Sequence, residues 1–201
     1  MLRAGVELAD GGGLQAASMR RVAAALGVEA MSLYHHVADK DDLLAGMLDV
    51  VVGEMEVASP EDGWKAALRR SAISAHDVLV RHRWAAGLMM SAGVGTARLG
   101  FMEGLLATLR RSGFSAELTH HAYHTLDSHI VGFTLWQAHL PPSEELSGLA
   151  ADFLRQLDAE SYPYFAEHVE QHLGDSAASS AEEFAFGLDL ILDGLERLRD
   201  G

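Results

Sequence analysis

Four histidines and an aspartate crowd one short stretch of the 201-residue chain: His120, His121, His124, Asp127 and His129. On a helix, His120, His124 and Asp127 stand at i, i+4 and i+7 and share a face. Two imidazoles and a carboxylate at that spacing can hold zinc or another transition metal. The same side chains serve equally as polar lining of a ligand pocket or subunit contact, or as an exposed face. His168 and His172 repeat the i, i+4 spacing, but Glu167 and Glu170 flank them and the segment reads as solvated. Other chemistry is sparse. Cysteine is absent, which excludes disulfides and thiol catalysis. The chain has no phosphate-binding glycine loop, no serine-centred nucleophile motif and no His-Glu-x-x-His. No enzymatic activity and no cofactor are expected, and a helical hydrolase on the histidine cluster is the catalytic rival.

A second constellation is built for phosphates and bases. Ser18, Arg20 and Arg21 open one apolar-striped segment, and Ser32, Tyr34, His35, His36 and Lys40 follow within twenty residues. Val22, Ala23 and Leu26 form the stripe of a first helix. Gly27 ends it, because glycine takes positive φ cheaply. Val28 is expected to pack inward, and Glu29 to His36 to form a second helix with Leu33 facing in. Ala30, Met31, Ser32, Tyr34, His35 and His36 remain outward. Helix, glycine turn, helix is the helix-turn-helix pattern, whose second helix enters a DNA major groove.

Charge restrains that reading. The chain holds 29 acids against 15 Lys and Arg, a formal net of -14. Residues 1–50 hold Arg3, Arg20, Arg21 and Lys40 against seven acids, and the remainder holds 11 bases against 22 acids. DNA affinity comes largely from bases neutralising phosphates. Strong sequence-indifferent binding is therefore excluded, and a salt-sensitive, site-specific binder needing two copies of the motif is expected. At 49% apolar residues the chain can bury a core, yet no run approaches the roughly 20 residues of a membrane span. No basic-then-apolar leader opens it, so a cytoplasmic protein is expected.

These residues must be positioned by helices, for no strand pattern occurs. Residues 1–10 carry Leu2, Val6 and Ala9 at helical spacing before Asp10-Gly11-Gly12-Gly13. Ser18 and Asp39 are N-cap candidates, with Asp42 three residues after Asp39. A helix from Lys40 to about Val57 precedes a break at Ala58–Gly63. Helices follow over 63–84, 96–112, 116–139 and 181–199, with 143–173 interrupted at Tyr162-Pro163-Tyr164 and a polar loop at Gly174–Ser180. The fold class is all-α with nine or ten helices. A three-helix DNA-binding domain with the helix-turn-helix spans 1–46, and a larger ligand-binding and dimerisation domain spans 47–201.

The segment Leu33-Tyr34-His35-His36-Val37, followed by Lys40 and Leu43-Leu44, resembles the tetracycline-repressor (TetR) family's DNA-binding domain. Gly63-Trp64, Arg81-His82-Arg83, Gly95-Thr96, Gly113-Phe114-Ser115 and the run Phe184 to Glu196 fall in the order of the repressor's C-terminal part. The resemblance implies a homodimer on a palindromic double-stranded operator, released by a small effector. It places Ser18, Arg20, Arg21, Tyr34, His36 and Lys40 on backbone phosphates. Ala30, Met31 and His35 face base edges, beside Ser32 on the same recognition helix.

Departures narrow the effector. Tetracycline repressor holds magnesium through a histidine before the Gly-Thr pair and a glutamate in its eighth helix; here those positions fall at Met89 or Gly93 and at Trp136. Magnesium wants oxygen ligands, so a magnesium-chelated drug does not suit this chain. An apolar or aromatic molecule is expected instead, lined by Met89, Met102, Leu105, Tyr123, His124, Asp127 and Trp136. Met89, Met90 and Met102 serve equally as core, methionine being adaptable. The rival readings are a helical ligand-binding dimer without DNA activity and a metalloprotein on His120, His124 and Asp127.

Overall fold

The structure is a computed structural model and describes residues 1–141, 143–171 and 180–201. Eleven α-helices and no strand occur among the described residues. They are α1 (Leu2–Gly12), α2 (Met19–Leu26), α3 (Ala30–Leu33), α4 (Lys40–Val52), α5 (Trp64–Arg81) and α6 (Arg83–Leu88). Next come α7 (Thr96–Arg111), α8 (Ala116–His139), α9 (Ser143–Gln156), α10 (Pro163–Glu170) and α11 (Ser180–Asp200). His172, Pro142 and residues 174–179 of the expected polar loop lie outside the described residues.

Capping signals fix several starts. Ser18 Oγ accepts from the Arg21 amide (3.4 Å), Asp39 Oδ1 from Asp42 (2.9 Å) and Ser115 Oγ from Leu118 (3.1 Å). Asp42 reaches back to the Ala38 amide at 2.8 Å, so both aspartates are engaged at the start of α4.

Four boundaries depart from the sequence reading. Helix α1 runs through Asp10 to Gly12 and stops at Gly13, whose φ of 69° is left-handed. Helix α4 stops at Val52 instead of near Val57, because α5 takes over the next backbone groups. Ser74 Oγ accepts from the Glu56 amide (2.9 Å), and Ser71 Oγ donates to its carbonyl (2.7 Å). The helix expected over 63–84 divides at His82, whose φ of -106° and ψ of 61° leave the helical region. That division raises the helix count. Pro163 opens α10 at its first turn, where a missing N–H is harmless, and the break falls at 157–162.

One apolar core runs through the molecule. Val6, Val22, Ala23, Leu33, Leu43 and Met47 at the N-terminal end join Leu68, Leu79, Leu105, Leu126, Leu188 and Leu192 through Leu48 and Val51 of α4. Helix α5 packs against α8 and α11, which also pack against each other. Much of the acid of α11 faces bases of α5: Lys65 reaches Asp193 and Glu196 (both 2.6 Å), and Arg69 holds Asp189 with two bonds of 2.7 and 3.2 Å. Arg199 lies over the Trp64 ring at 5.2 Å.

Candidate nucleic-acid interface and effector region

Helices α2 and α3 form a small head whose outward side chains stay free. Helix α2 buries Val22 and Ala23 and ends on Gly27 at φ 68°. Leu26 and Val28, expected to pack inward, are 40% and 45% exposed. The glycine turn explains this: the Val28 amide closes onto the Ala23 carbonyl (3.0 Å), so Val28 seals backbone rather than core. The second helix is also shorter than the expected 29–36. It ends at Leu33, and tightened bonds carry the chain on, Tyr34 to Met31 (3.3 Å), His35 to Ser32 (3.4 Å) and His36 to Leu33 (2.9 Å). Leu33 and Val37 are the buried residues of this stretch, with Ala30 half-buried against the core, so no buried stripe propagates a longer helix.

Arg20, Arg21, Ser32, Tyr34, His35, His36 and Lys40 are all exposed, and Ser18 is half-buried by its capping role. None of Arg20, Arg21 and Lys40 forms an ion pair among the described residues. Met31 is 73% exposed and, with Leu26, Val28 and Tyr34, gives the head an uncovered apolar side. Such a surface offers phosphates three bases and offers thymine methyls apolar contact.

Two polar joints tie α1 and α4 to the helices that follow. At the first, the Asp10 carboxylate, at the end of α1, faces His82 Nδ1 (2.8 Å) and accepts from Trp84 Nε1 (2.7 Å). Glu54 approaches the other ring nitrogen of His82 at 3.4 Å. An open groove of about 640 Å³ runs beside this joint, lined by Val6, Glu7, Asp49 and Val50 among others. At the second, Asp49 of α4 caps α7, accepting from the amides of Ala97 (3.2 Å) and Arg98 (3.0 Å).

Arg98 gathers part of the expected effector lining. Its guanidinium donates to the Met89 carbonyl, and it lies close enough to Tyr123 and Asp127 to favour their ionised forms. Burial works the other way and holds both groups above their usual ranges, while the Asp127 charge adds to the rise at Tyr123. His124 stands exposed beside them, its ring 4.6 Å from His120. The remaining lining residues are dispersed. Leu105 is core at 1% exposure, Met102 is half-buried, and Met89 packs its side chain at 5%. Trp136 is nine residues beyond Asp127 on α8, hence on the opposite side of that helix. Its ring packs against Phe133 at 5.4 Å. Among the described residues no three of His, Asp and Glu converge to hold a metal ion.

The comparisons with known proteins decide what this arrangement is. Residues 1–47 match the bacterial regulatory proteins of the tetR family, and residues 57–199 match the tetracyclin repressor-like C-terminal domain. The chain belongs to the TetR family of transcriptional regulators. DrrR1, an HTH-type transcriptional repressor of Streptomyces coeruleorubidus, is 35% identical over 98% of this chain and 76% of its own length. The class G tetracycline repressor of Vibrio anguillarum is 27% identical over 99% of this chain and 93% of its own. Among solved structures, the Streptomyces coelicolor TetR family protein ActR in complex with (S)-DNPA superposes at a TM-score of 0.81 with 28% identity. The match covers 98% of this chain and 96% of that one. ActR in complex with actinorhodin superposes at 0.81 as well, over all of this chain.

Several residues of this TetR-family regulator escaped sequence reading. Asp10, Asp49, His82 and Arg98 join segments distant in sequence. One local signal was available: Gly95 precedes α7 without any side chain to cap it, so the cap had to come from elsewhere. His76 escaped as well. Its ring stacks on Phe184 at 4.1 Å, and His129 stacks on the same ring at 4.7 Å. Thr134 donates its hydroxyl to the Ile130 carbonyl, so it accepts from His76 Nδ1 at 3.0 Å. His129 Nε2 donates to the Phe184 carbonyl (3.0 Å), and its ring occupies the space a Cβ on Gly187 would need. The small residue at 187 thus admits His129 of the same chain.

Burial holds the His76 pKa below the usual histidine range, with Asp77 opposing and His129 adding to the depression. The unfolded chain takes that proton near pH 6.5, while the fold resists it. Stability from this group is therefore full above about pH 6.5 and declines as pH falls toward the depressed folded value. Thermal melts of the native protein and His76→Gln between about pH 7.5 and 5 test this. The native protein should lose more stability on acidification than the variant; equal losses would show that His76 is not the group concerned.

Proposed function

We propose that this regulator is a cytoplasmic, homodimeric repressor that binds a palindromic operator and is released from it by an apolar or aromatic small molecule. The observation that carries the proposal is the head. Arg20, Arg21 and Lys40 stay exposed and free of protein acids while the chain as a whole is strongly acidic. Ser18, Arg20, Arg21, Tyr34, His36 and Lys40 are assigned to phosphates, and Ser32 and His35 to the recognition surface. Base readout is then sparse, and operator shape contributes to specificity. The domain boundary is placed inside α4, with residues 1–46 as head and 47–201 as ligand and dimer domain.

ActR was crystallised with (S)-DNPA and with actinorhodin. By analogy the effector of this chain sits near Arg98, with Met89, Met102, Tyr123, His124 and Asp127 as its expected lining; Leu105 lies in the core and Trp136 across α8 from Asp127. The dimer face is assigned to α8 and α11, where Phe186 and Leu190 are 68% and 57% exposed at i, i+4. We read the protein as a binder and not a catalyst, since the family is one of regulators. Among the described residues no helix is long and apolar enough to cross a membrane.

A gel shift at low salt with the duplex upstream of the protein's own gene tests the proposal. A complex that depends on a palindrome and weakens in Tyr34→Ala and Lys40→Ala, with the dimer intact, is expected. Absence of any complex would favour a ligand-binding dimer without DNA activity.

A further inference from the structure

We infer that Met31 reads the C5-methyl group of a pyrimidine in each operator half-site, so that 5-methylcytosine can replace thymine at that position and unmethylated cytosine cannot. The inference deepens the DNA-binding reading above and rests on it.

Helical phase puts Met31 at the apex of the head. Leu33 is the buried residue of α3, at 3% exposure. Met31 stands about 200° around the helix from it, on the side turned away from the core. Its 73% exposure agrees with that phase. Ser32 and Tyr34 lie about 100° to either side of Leu33 and flank the methionine, and His35 follows one turn later. Ala30 is half-buried against the core, so the apolar contact this helix offers falls mainly on Met31.

The chemistry of the stretch leaves few ways to read a base. Between Val28 and His36 there is no arginine, lysine, asparagine or glutamine. The bidentate contacts to guanine and to adenine therefore have no donor here. A thioether accepts hydrogen bonds only weakly, but it is flexible and polarisable and moulds itself to a methyl group. In the major groove the apolar feature that distinguishes one base from another is the thymine C5-methyl.

The polar neighbours do not restore a preference for thymine itself. Thymine presents an acceptor, O4, where cytosine presents a donor, the N4 amino group. The hydroxyls of Ser32 and Tyr34 and the imidazoles of His35 and His36 can each donate or accept, so they satisfy either base. Glu29 only accepts and does not favour O4. What remains to separate thymine from cytosine is the methyl group, and 5-methylcytosine carries it at the same ring carbon.

Gel shifts with the duplex upstream of the protein's own gene test this. The comparison duplex has deoxyuridine at every thymine, which removes the methyl groups and nothing else. A buried methyl is worth about fourfold in affinity, so two half-sites give about fifteenfold. The native protein should prefer the thymine duplex by about that factor. Met31→Ala, which leaves the core untouched, should keep no more than about a twofold preference, and Met31→Leu should keep most of it. Effects of deoxyuridine on duplex shape persist in Met31→Ala and cancel in the ratio of the two preferences. Single deoxyuridine substitutions then locate the position. There, cytosine should bind as weakly as deoxyuridine, and 5-methylcytosine should recover affinity to within about threefold of thymine. A native protein indifferent to deoxyuridine overturns the inference and leaves the DNA reading standing. So does Met31→Ala that discriminates as well as the native protein, or 5-methylcytosine that binds no better than cytosine. A thymine duplex that forms no complex overturns both.

Discussion

Phe184→Ala is expected to lower the folding stability of the protein by about 3–5 kcal/mol, the range for deleting a fully buried phenyl ring. Three helices meet on this ring. At 1% exposure it receives the face of His76 from α5 and the face of His129 from α8, and Phe133 meets it edge-on at 5.5 Å. Removing it leaves a cavity between two imidazoles whose ring nitrogens are already committed to Thr134 and to the backbone, so neither can swing in to fill the space. Urea unfolding followed by circular dichroism measures the loss. Phe184→Leu, which retains volume but no aromatic face, should lose less than half as much. A loss under about 1 kcal/mol for the alanine variant would mean that the site collapses freely, and the stack would not be the anchor of α11.

The second large effect concerns assembly. Phe186→Arg with Leu190→Arg places two charges on the apolar strip of α11 without touching Phe184, Leu188 or Leu192, which point into the core. The variant should remain helical and sediment as a monomer. Duplex affinity should fall by about 10²–10⁴, because the second head no longer binds as an intramolecular partner of the first. Analytical ultracentrifugation and gel shifts on one preparation check both. A variant that stays dimeric would move the interface off this strip.

Local chemistry made much of this fold legible. The serine and aspartate caps and the left-handed glycine at 27 are each written within a few residues, and they fall where the spacing puts them. The head was legible by pattern and by resemblance. Leu26 and Val28 were misread because hydrophobicity alone cannot tell a core position from an apolar surface reserved for another molecule. The division at His82 was illegible for a different reason. Helical spacing continues across it, and the carboxylates that meet the His82 ring, Asp10 and Glu54, stand 72 and 28 positions earlier in the chain. Trp136 shows the limit of carrying over positions one at a time: helical phase sets it across α8 from Asp127. Arg98 was overlooked as one base among many, since nothing beside it in sequence marks the Met89 carbonyl or Asp127 as neighbours.

The pairing of α5 bases with α11 acids has a kinetic consequence. Lys65 and Arg69 are held against Asp189, Asp193 and Glu196 and stay turned from any polyanion. The head alone can then grip a duplex, with few cations, and the body is repelled by it. Such a molecule dwells only briefly on wrong sequence. It samples the chromosome by repeated short visits from solution more than by sliding along it, and the time to find its target scales with copy number.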